Sequence, residues 1–254
     1  MNLIDTHCHL DNDAFDHDRE EVIDNSRQLG INKIIIPGVS RNSWDKLLSL
    51  CDNSKHLYPA LGLHPYFTST HKDADLIDLQ SYLDSNTAIA IGEIGLDYYL
   101  KDIDKEKQIY FFEQQLLIAQ KNNLPVILHV RKAHADVIAL LKKIKVKGGI
   151  CHAYNGSYEQ AQEYLKLNFI FGFGGTITYP QSTKLRNLAS RLPLESIVLE
   201  TDAPDMAVAN HHGERNSPEY IIDCARALAQ IREQDIDVIA QQTSANACIL
   251  LDIQ

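Results

Sequence analysis

Two histidines stand near the start of the chain with one residue between them, His7-Cys8-His9. In an extended strand, side chains at i and i+2 share a face, so both imidazoles can aim at one point. Two ligands of a transition metal need that arrangement. Alone the pair is a weak motif, since ordinary polar residues at a strand end look the same. Its weight comes from further residues of matching chemistry, namely His64, Glu93, His129, His152 and Asp202. Each closes a short apolar run. Singly, a histidine there is a satisfied polar residue, a glutamate a solvated charge, and Asp202 before Ala203-Pro204 a turn former. Jointly they form a set of imidazoles and carboxylates at equivalent points of separate strands. That ligand mix suits zinc, manganese, nickel or cobalt better than an iron–sulfur cluster.

The apolar periodicity says which elements must carry these residues. Strands are expected at Leu3–His9, Ile34–Val39, Leu57–Leu63, Ala88–Glu93, Pro125–Val130, Gly149–His152, Phe169–Gly172 and Ile197–Asp202. Between them the pattern reads as helix at Asp16–Leu29, Ser43–Cys51, Asp75–Leu83, Lys105–Lys121, Ala133–Lys143, Tyr158–Leu165 and Thr183–Ser190, with Pro218–Arg232 and Ile236–Leu251 closing the chain. Strand alternating with helix implies a parallel sheet, and eight repeats imply an α/β fold closed as a (β/α)8 TIM barrel. An open doubly wound sheet is the runner-up, but it gathers its ligands at one switch point. Candidate ligands at the ends of six strands favour the barrel, whose strand ends converge on one mouth. No low-complexity linker interrupts the pattern, so residues 1–254 read as a single domain.

Composition bounds the function. The chain has 254 residues, 44% hydrophobic and 23% charged, as in ordinary soluble globular proteins. A net charge of −10 argues against tight, sequence-independent binding to duplex DNA, which needs a lysine and arginine footprint. It leaves room for an enzyme that meets nucleic acid through bound divalent ions, which invert the local charge. The five cysteines, Cys8, Cys51, Cys151, Cys224 and Cys248, are scattered and form no C-x-x-C, so neither a disulfide framework nor a zinc ribbon is expected. A cytoplasmic location is the simplest compartment for them. No basic segment leads into an apolar run at the start, and no run is long enough to span a membrane. Strand alternation turns Cys8 and Cys151 toward the outer helices, away from the ligands beside them.

Six blocks then match a known family in order. They are "IDTHCHLD" at the start, "GLHP" at 62–65, "AIGEIGLDYY" at 90–99, "PVILHVRKAH" at 125–134, "CHAYNGS" at 151–157 and "LETDAP" at 199–204. Over its whole length the chain resembles the TatD family of metal-dependent deoxyribonucleases, among the amidohydrolase-like barrels. Related branches often bridge two metals with a carboxylated lysine at strand four, where this chain has Glu93. The resemblance implies two divalent ions (Zn, Mn, Mg, Ni or Co). His7, His9, Glu93 and Asp202 would hold the first, and Glu93, His129 and His152 the second, with Glu93 as bridge. Catalytic roles fall on Glu93 and on Asp202 as general base. His64, Arg131 and Tyr154 match positions that face substrate, although many relatives carry phenylalanine or serine at Ala153 or Tyr154. The implied activity is phosphodiester hydrolysis, in particular exonuclease action on single-stranded DNA ends. The alternatives are a hydrolase of a small ester, amide or lactone, and a silent barrel that only binds. Nucleic acid or a small phosphodiester is the expected partner, with no membrane and with a monomer favoured.

Gly172-Phe173-Gly174-Gly175 after strand seven admits a phosphate-approach loop or a tight turn. Tyr98 and Tyr99 after strand four could stack on bases or pack a loop over the mouth.

Overall fold

A computed structural model describes residues 1–85 and 88–253. The expected domain span 1–254 therefore includes Asn86, Thr87 and Gln254, which lie outside the described residues. Eight parallel strands lie in sequence order in one sheet. They are β1 (Leu3–Asp5), β2 (Ile31–Pro37), β3 (Leu57–Leu61), β4 (Ala90–Asp97), β5 (Val126–Arg131), β6 (Gly149–Cys151), β7 (Phe169–Phe173) and β8 (Ile197–Leu199). The helices are α1 (Arg19–Gln28), α2 (Trp44–Asp52), α3 (Asp73–Ser85), α4 (Lys105–Asn122), α5 (His134–Lys143), α6 (Tyr158–Leu165), α7 (Thr183–Arg191), α8 (Ile221–Arg232) and α9 (Ile236–Leu251).

The sheet curls until its two edges meet, as the barrel expectation requires. At the seam Thr6 donates from its backbone N–H and from Oγ1 to the Leu199 carbonyl, at 3.1 and 3.0 Å. One step further along, the Asp202 N–H donates to the His7 carbonyl at 2.8 Å. Inside lies an apolar column of Ile4, Ile35, Ala60, Ala90, Ile127, Ile150 and Val198. The alanines of β3 and β4 leave room for Ile35 and Ile127, and each fully buried isoleucine contributes about 1.5–3 kcal/mol. Ala247, Leu250, Leu251 and Ile253, from α9 and just beyond, join this column and close it at the end away from the site. A larger outer cluster fills the layer between strands and helices and takes up Cys8 and Cys151.

α4 illustrates how local sequence places the site. Asp104 caps it by accepting the Lys107 N–H at 2.9 Å, and Asn123 ends it in the left-handed conformation. Phe112, Leu116 and Ala119 bury one face at helical spacing. Two glutamines on the same helix, Gln108 and Gln115, are buried as well. Gln115 brackets Leu63, accepting its N–H at 2.7 Å and donating to its carbonyl at 3.2 Å. Gln108 accepts the Asp97 N–H at 3.0 Å and donates toward the carbonyls of Pro65 and Asp97, each at 3.3 Å. α4 thus pins the chain where it leaves β3 and β4.

Several strands stop sooner than their apolar runs. β1 ends at Asp5, β3 at Leu61, β6 at Cys151 and β8 at Leu199, so His7, His9, His64, His152 and Asp202 sit just past the ladders. At β1 the reason is Asp5. Its carboxylate accepts the N–H groups of His7 at 3.2 Å and Thr201 at 3.0 Å and the Thr201 hydroxyl at 2.6 Å, which replaces ladder bonds with side-chain bonds. β4 instead runs past Glu93 to Asp97. The first helix begins at Arg19 rather than Asp16, because Asn12 caps a separate short turn, Asp13–Phe15.

Candidate metal centre

Glu93 is the hub. It is 2% exposed, and its two oxygens face different histidines. Oε2 lies 3.1 Å from Nε2 of His7 and 3.7 Å from Nε2 of His9. Oε1 lies 2.9 Å from Nδ1 of His129 and 3.2 Å from Nε2 of His64. Asp202 stands across from Glu93, with Oδ1 3.7 Å from His7 and 3.6 Å from His9 and with Oδ2 3.6 Å from His152. The Nε2 atoms of His7 and His9 are 3.3 Å apart.

Among the described residues, three sets of donors lie within 4.8 Å of one another: His7, His9 and Asp202; His7, Glu93 and His152; and His64, Glu93 and His129. The first set with Glu93 matches the ligands expected for one ion. The second expected group is divided, because His129 and His152 do not share a set. His152 stacks on His7 instead, at 3.6 Å between ring centroids and 18° between planes.

The ring nitrogens sort the histidines by role. Nδ1 of His64 accepts the Tyr66 N–H at 3.0 Å, so the neutral ring carries its proton on Nε2 and presents a donor toward Glu93. A nitrogen that keeps its proton does not ligate a metal, which leaves His64 as a hydrogen-bond donor in the cavity. Nε2 of His129 lies 3.1 Å from Oδ2 of Asp97, a residue 2% exposed, which leaves Nδ1 turned to Glu93. Nδ1 of His152 lies 3.0 Å from Oε1 of Glu200, itself 1% exposed. Buried carboxylates behind imidazoles fix ring orientation and raise ligand basicity. Sequence reasoning missed both Asp97 and Glu200. The signal was present, since Asp97 lies four residues beyond Glu93 and Glu200 two before Asp202, the same-face spacing of extended chain.

Charge balances within the cluster. Burial alone would raise the Glu93 carboxyl, but His64, His7 and His129 outweigh it and hold Glu93 well below the usual carboxylate range. Burial likewise opposes ionisation of Asp202, yet His152, His7 and His9 bring it down to about 2. Burial disfavours charge on His129, but hydrogen bonds to Asp97 and Glu93 raise it to about 9. On His152 the carboxylates of Glu200 and Asp202 overcome burial and push it well above the ordinary value. Burial, then the neighbouring His152, lowers His7. Glu93 and Asp202 are thus held as carboxylates by the imidazoles around them, of which His129 and His152 are held protonated. A divalent cation can take the place of those protons, and the neutral His7 already offers a lone pair. The buried Nδ1 of His7 has no hydrogen-bond partner among the described residues. Nitrogen and carboxylate oxygen in this number fit a borderline divalent ion.

Close backbone approaches build the frame. Gly95 has φ +149°, and a Cβ there would lie 1.9 Å from the His129 carbonyl oxygen. At Gly172 a Cβ would lie 2.0 Å from Oε2 of Glu200. Gly172 of β7 therefore makes room for a carboxylate, and serves neither a phosphate-approach loop nor a tight turn. Three non-glycine residues, Lys132, Ala153 and Asp202, are left-handed at φ 56°, 42° and 59° and turn the chain at the mouth.

The mouth is a cavity of about 670 Å³, lined by His9, His64, Glu93, His129, Arg131, His152 and Asp202 among others. Arg131 is exposed and its guanidinium lies 3.7 Å from the Tyr99 ring centroid. Tyr154 requires a correction. It is 2% exposed, packs on Phe171 at 4.5 Å and donates its hydroxyl to the Ser157 carbonyl at 2.6 Å. The left-handed turn at Ala153 carries Tyr154 out of the cavity into the helix layer, away from any substrate.

The barrel with its cluster of imidazoles and carboxylates at the mouth defines the class of metal-dependent hydrolases, and the comparisons with known proteins agree. The family profile described as TatD related DNase matches residues 4–252, so the chain belongs to the TatD family. It is 39% identical to an uncharacterized metal-dependent hydrolase, YjjV, of Escherichia coli K12, over 99% of this chain and 98% of that protein. It is 33% identical to another, YabD, of Bacillus subtilis, over 96% and 97%. The crystal structure of the E. coli YjjV protein superposes with a TM-score of 0.96 at 38% identity, covering 99% and 98% of the two chains. A TatD family hydrolase from Entamoeba histolytica, 24% identical, shares the fold at a TM-score of 0.87 over 98% of each chain.

Proposed function

We propose that this metal-dependent hydrolase is a deoxyribonuclease that removes nucleotides from single-stranded DNA ends, using two divalent ions. The observation that carries the reading is the divided environment of Glu93, whose oxygens face separate histidine groups as a bridging carboxylate requires. The family description points the same way.

Held by His7, His9, Glu93 and Asp202 and by Glu93, His129 and His152, divalent ions would supply positive charge to the anionic diester and lower the pKa of water. The chain's own residues do the rest. Asp202, held ionised at the mouth, orients the attacking water and accepts its proton. The Nε2–H of His64 donates to a phosphate or leaving-group oxygen. Arg131 forks onto non-reacting phosphate oxygens. A cavity of this volume also fits a small ester, amide or lactone, which keeps that reading as the second. In support of a cytoplasmic setting, the five cysteines are all free, and no described helix is long and apolar enough to cross a membrane.

The test is cleavage of labelled single-stranded DNA, duplex DNA, RNA and a simple phosphodiester, with and without added divalent ions. Metal-dependent loss of single-stranded DNA from its ends is expected. Glu93→Ala should abolish it and strip bound metal, while Asp202→Asn should lower kcat far more than it raises KM. Full activity in Glu93→Ala, or hydrolysis confined to a non-phosphate ester, would overturn the proposal.

A further inference from the structure

Three large aromatic side chains stand in solvent beside the site, although burial would be worth more to each. Tyr66 is 61% exposed, Phe67 36% and Tyr99 52%. Tyr66 and Phe67 line the same cavity as Glu93. They belong to a short turn that starts at His64, and a run of edge-to-face rings leads outward from the reacting centre. His129 meets His64 at 4.4 Å and 69°, His64 meets Phe67 at 6.3 Å and 65°, and Phe67 meets Tyr66 at 5.1 Å and 76°.

The turn is held firmly. Pro65 occupies its first position, Thr68 Oγ1 donates to the Pro65 carbonyl at 2.6 Å, and the buried His71 places Nε2 2.9 Å from the His64 carbonyl. Gln108 ties Pro65 to Asp97, so the Tyr66 turn and the chain that leads to Tyr99 are braced by one buried side chain. Tyr99 in turn lies under the Arg131 guanidinium at 3.7 Å. A braced aromatic wall that is open to solvent and lines the same cavity as Arg131 has the composition of a single-strand binding site.

We infer that Tyr66 and Phe67 form a stacking site for one unpaired nucleobase next to the scissile phosphate, with Tyr99 setting the position of Arg131. The inference rests on the nuclease reading for what the neighbouring residues do, and it names the feature of substrate that the cavity selects. A base locked in a duplex cannot insert between these rings and Arg131, so selection for unpaired ends follows from the shape of the mouth and not from the overall charge.

The test uses a phosphorothioate oligonucleotide with 2-aminopurine as its terminal base, mixed with the intact protein and a divalent ion. Stacking on an aromatic ring quenches 2-aminopurine fluorescence. Quenching is expected on binding of the single strand and is expected to weaken when the label sits in a blunt duplex. Tyr66→Ala combined with Phe67→Ala should remove the quenching and weaken binding about tenfold, within the range of one lost base stack. Tyr66→Trp should preserve both. Because Tyr66 and Phe67 are exposed, an unchanged melting temperature separates this loss from misfolding. In turnover of ordinary single-stranded DNA the double variant should raise KM more than it lowers kcat. Absence of quenching in the unaltered protein, quenching that survives the double variant, or equal quenching by duplex would overturn the stacking site even where DNA is cleaved. Quenching without cleavage of any DNA would leave the base site standing and overturn the nuclease reading.

Discussion

Asp97 places Oδ2 3.1 Å from Nε2 of His129, on the side of the ring opposite Glu93. The relationship fixes which nitrogen faces the centre, and both groups are packed at the end of β4 and β5. Asp97→Asn keeps the shape and removes the charge. Metal affinity, measured by titration of the chelator-stripped protein, should fall about 10–100-fold. An unchanged affinity would mean that Asp97 serves packing alone.

Metal uptake should release protons and strengthen with pH. His129 titrates at about 9 without metal, so a cation replacing its Nδ1 proton competes with that proton across the neutral range. Below about pH 9 the apparent affinity should fall by up to about tenfold per pH unit for each proton displaced. Calorimetry in two buffers of different ionisation enthalpy would detect the release. Equal heats in both would contradict it.

The same shifts give the metal-free protein a stability profile of known sign. His129 is raised from 6.5 to about 9, so its contribution is fully present below 6.5 and is lost as pH rises through 9. Asp202 is lowered from 3.8 to about 2, so its contribution is present above 3.8 and is lost as pH falls through 2. Thermal melts in chelator should therefore decline between pH 6.5 and 9. The stabilisation on adding metal should grow over that same window.

Gly172→Ala should damage the centre from a distance. Its new Cβ falls on Oε2 of Glu200, whose other oxygen, Oε1, lies 3.0 Å from Nδ1 of His152 and accepts the Ala153 N–H at 2.7 Å. The loss should be about 1–3 kcal/mol by chemical denaturation. In a Glu200→Ala background the same substitution should cost less, because the clashing atoms are gone. Equal costs in both backgrounds would refute the steric account.

Tyr154→Phe tests whether Tyr154 serves packing and not substrate. It removes the hydroxyl that donates to Ser157, so stability should fall by about 1 kcal/mol. Steady-state constants on DNA should stay within twofold. A large rise in KM would return Tyr154 to the substrate.

The apolar runs alternate between short strand and long helix, and buried parallel strands read as continuous hydrophobic segments. That is why the eight-stranded order and the position of Tyr158–Leu165 and Ile236–Leu251 were legible to the residue. The candidate metal ligands were legible for a related reason. Each is a polar group ending an apolar run, and the barrel brings such ends together. Strand ends were less legible, because side chains such as Asp5 compete with the backbone for the last ladder bonds.

By itself the sequence determined that this chain is an α/β barrel carrying imidazoles and carboxylates at one mouth, since periodicity and residue type are local properties. Only the tertiary structure decided that His129 and His152 stand apart, that Asp97 and Glu200 back them, that His64 presents a proton, and that Tyr154 turns away while Tyr66 and Phe67 do not. Those outcomes depend on distances between residues far apart in the chain and on left-handed turns such as Ala153, which no local pattern encodes.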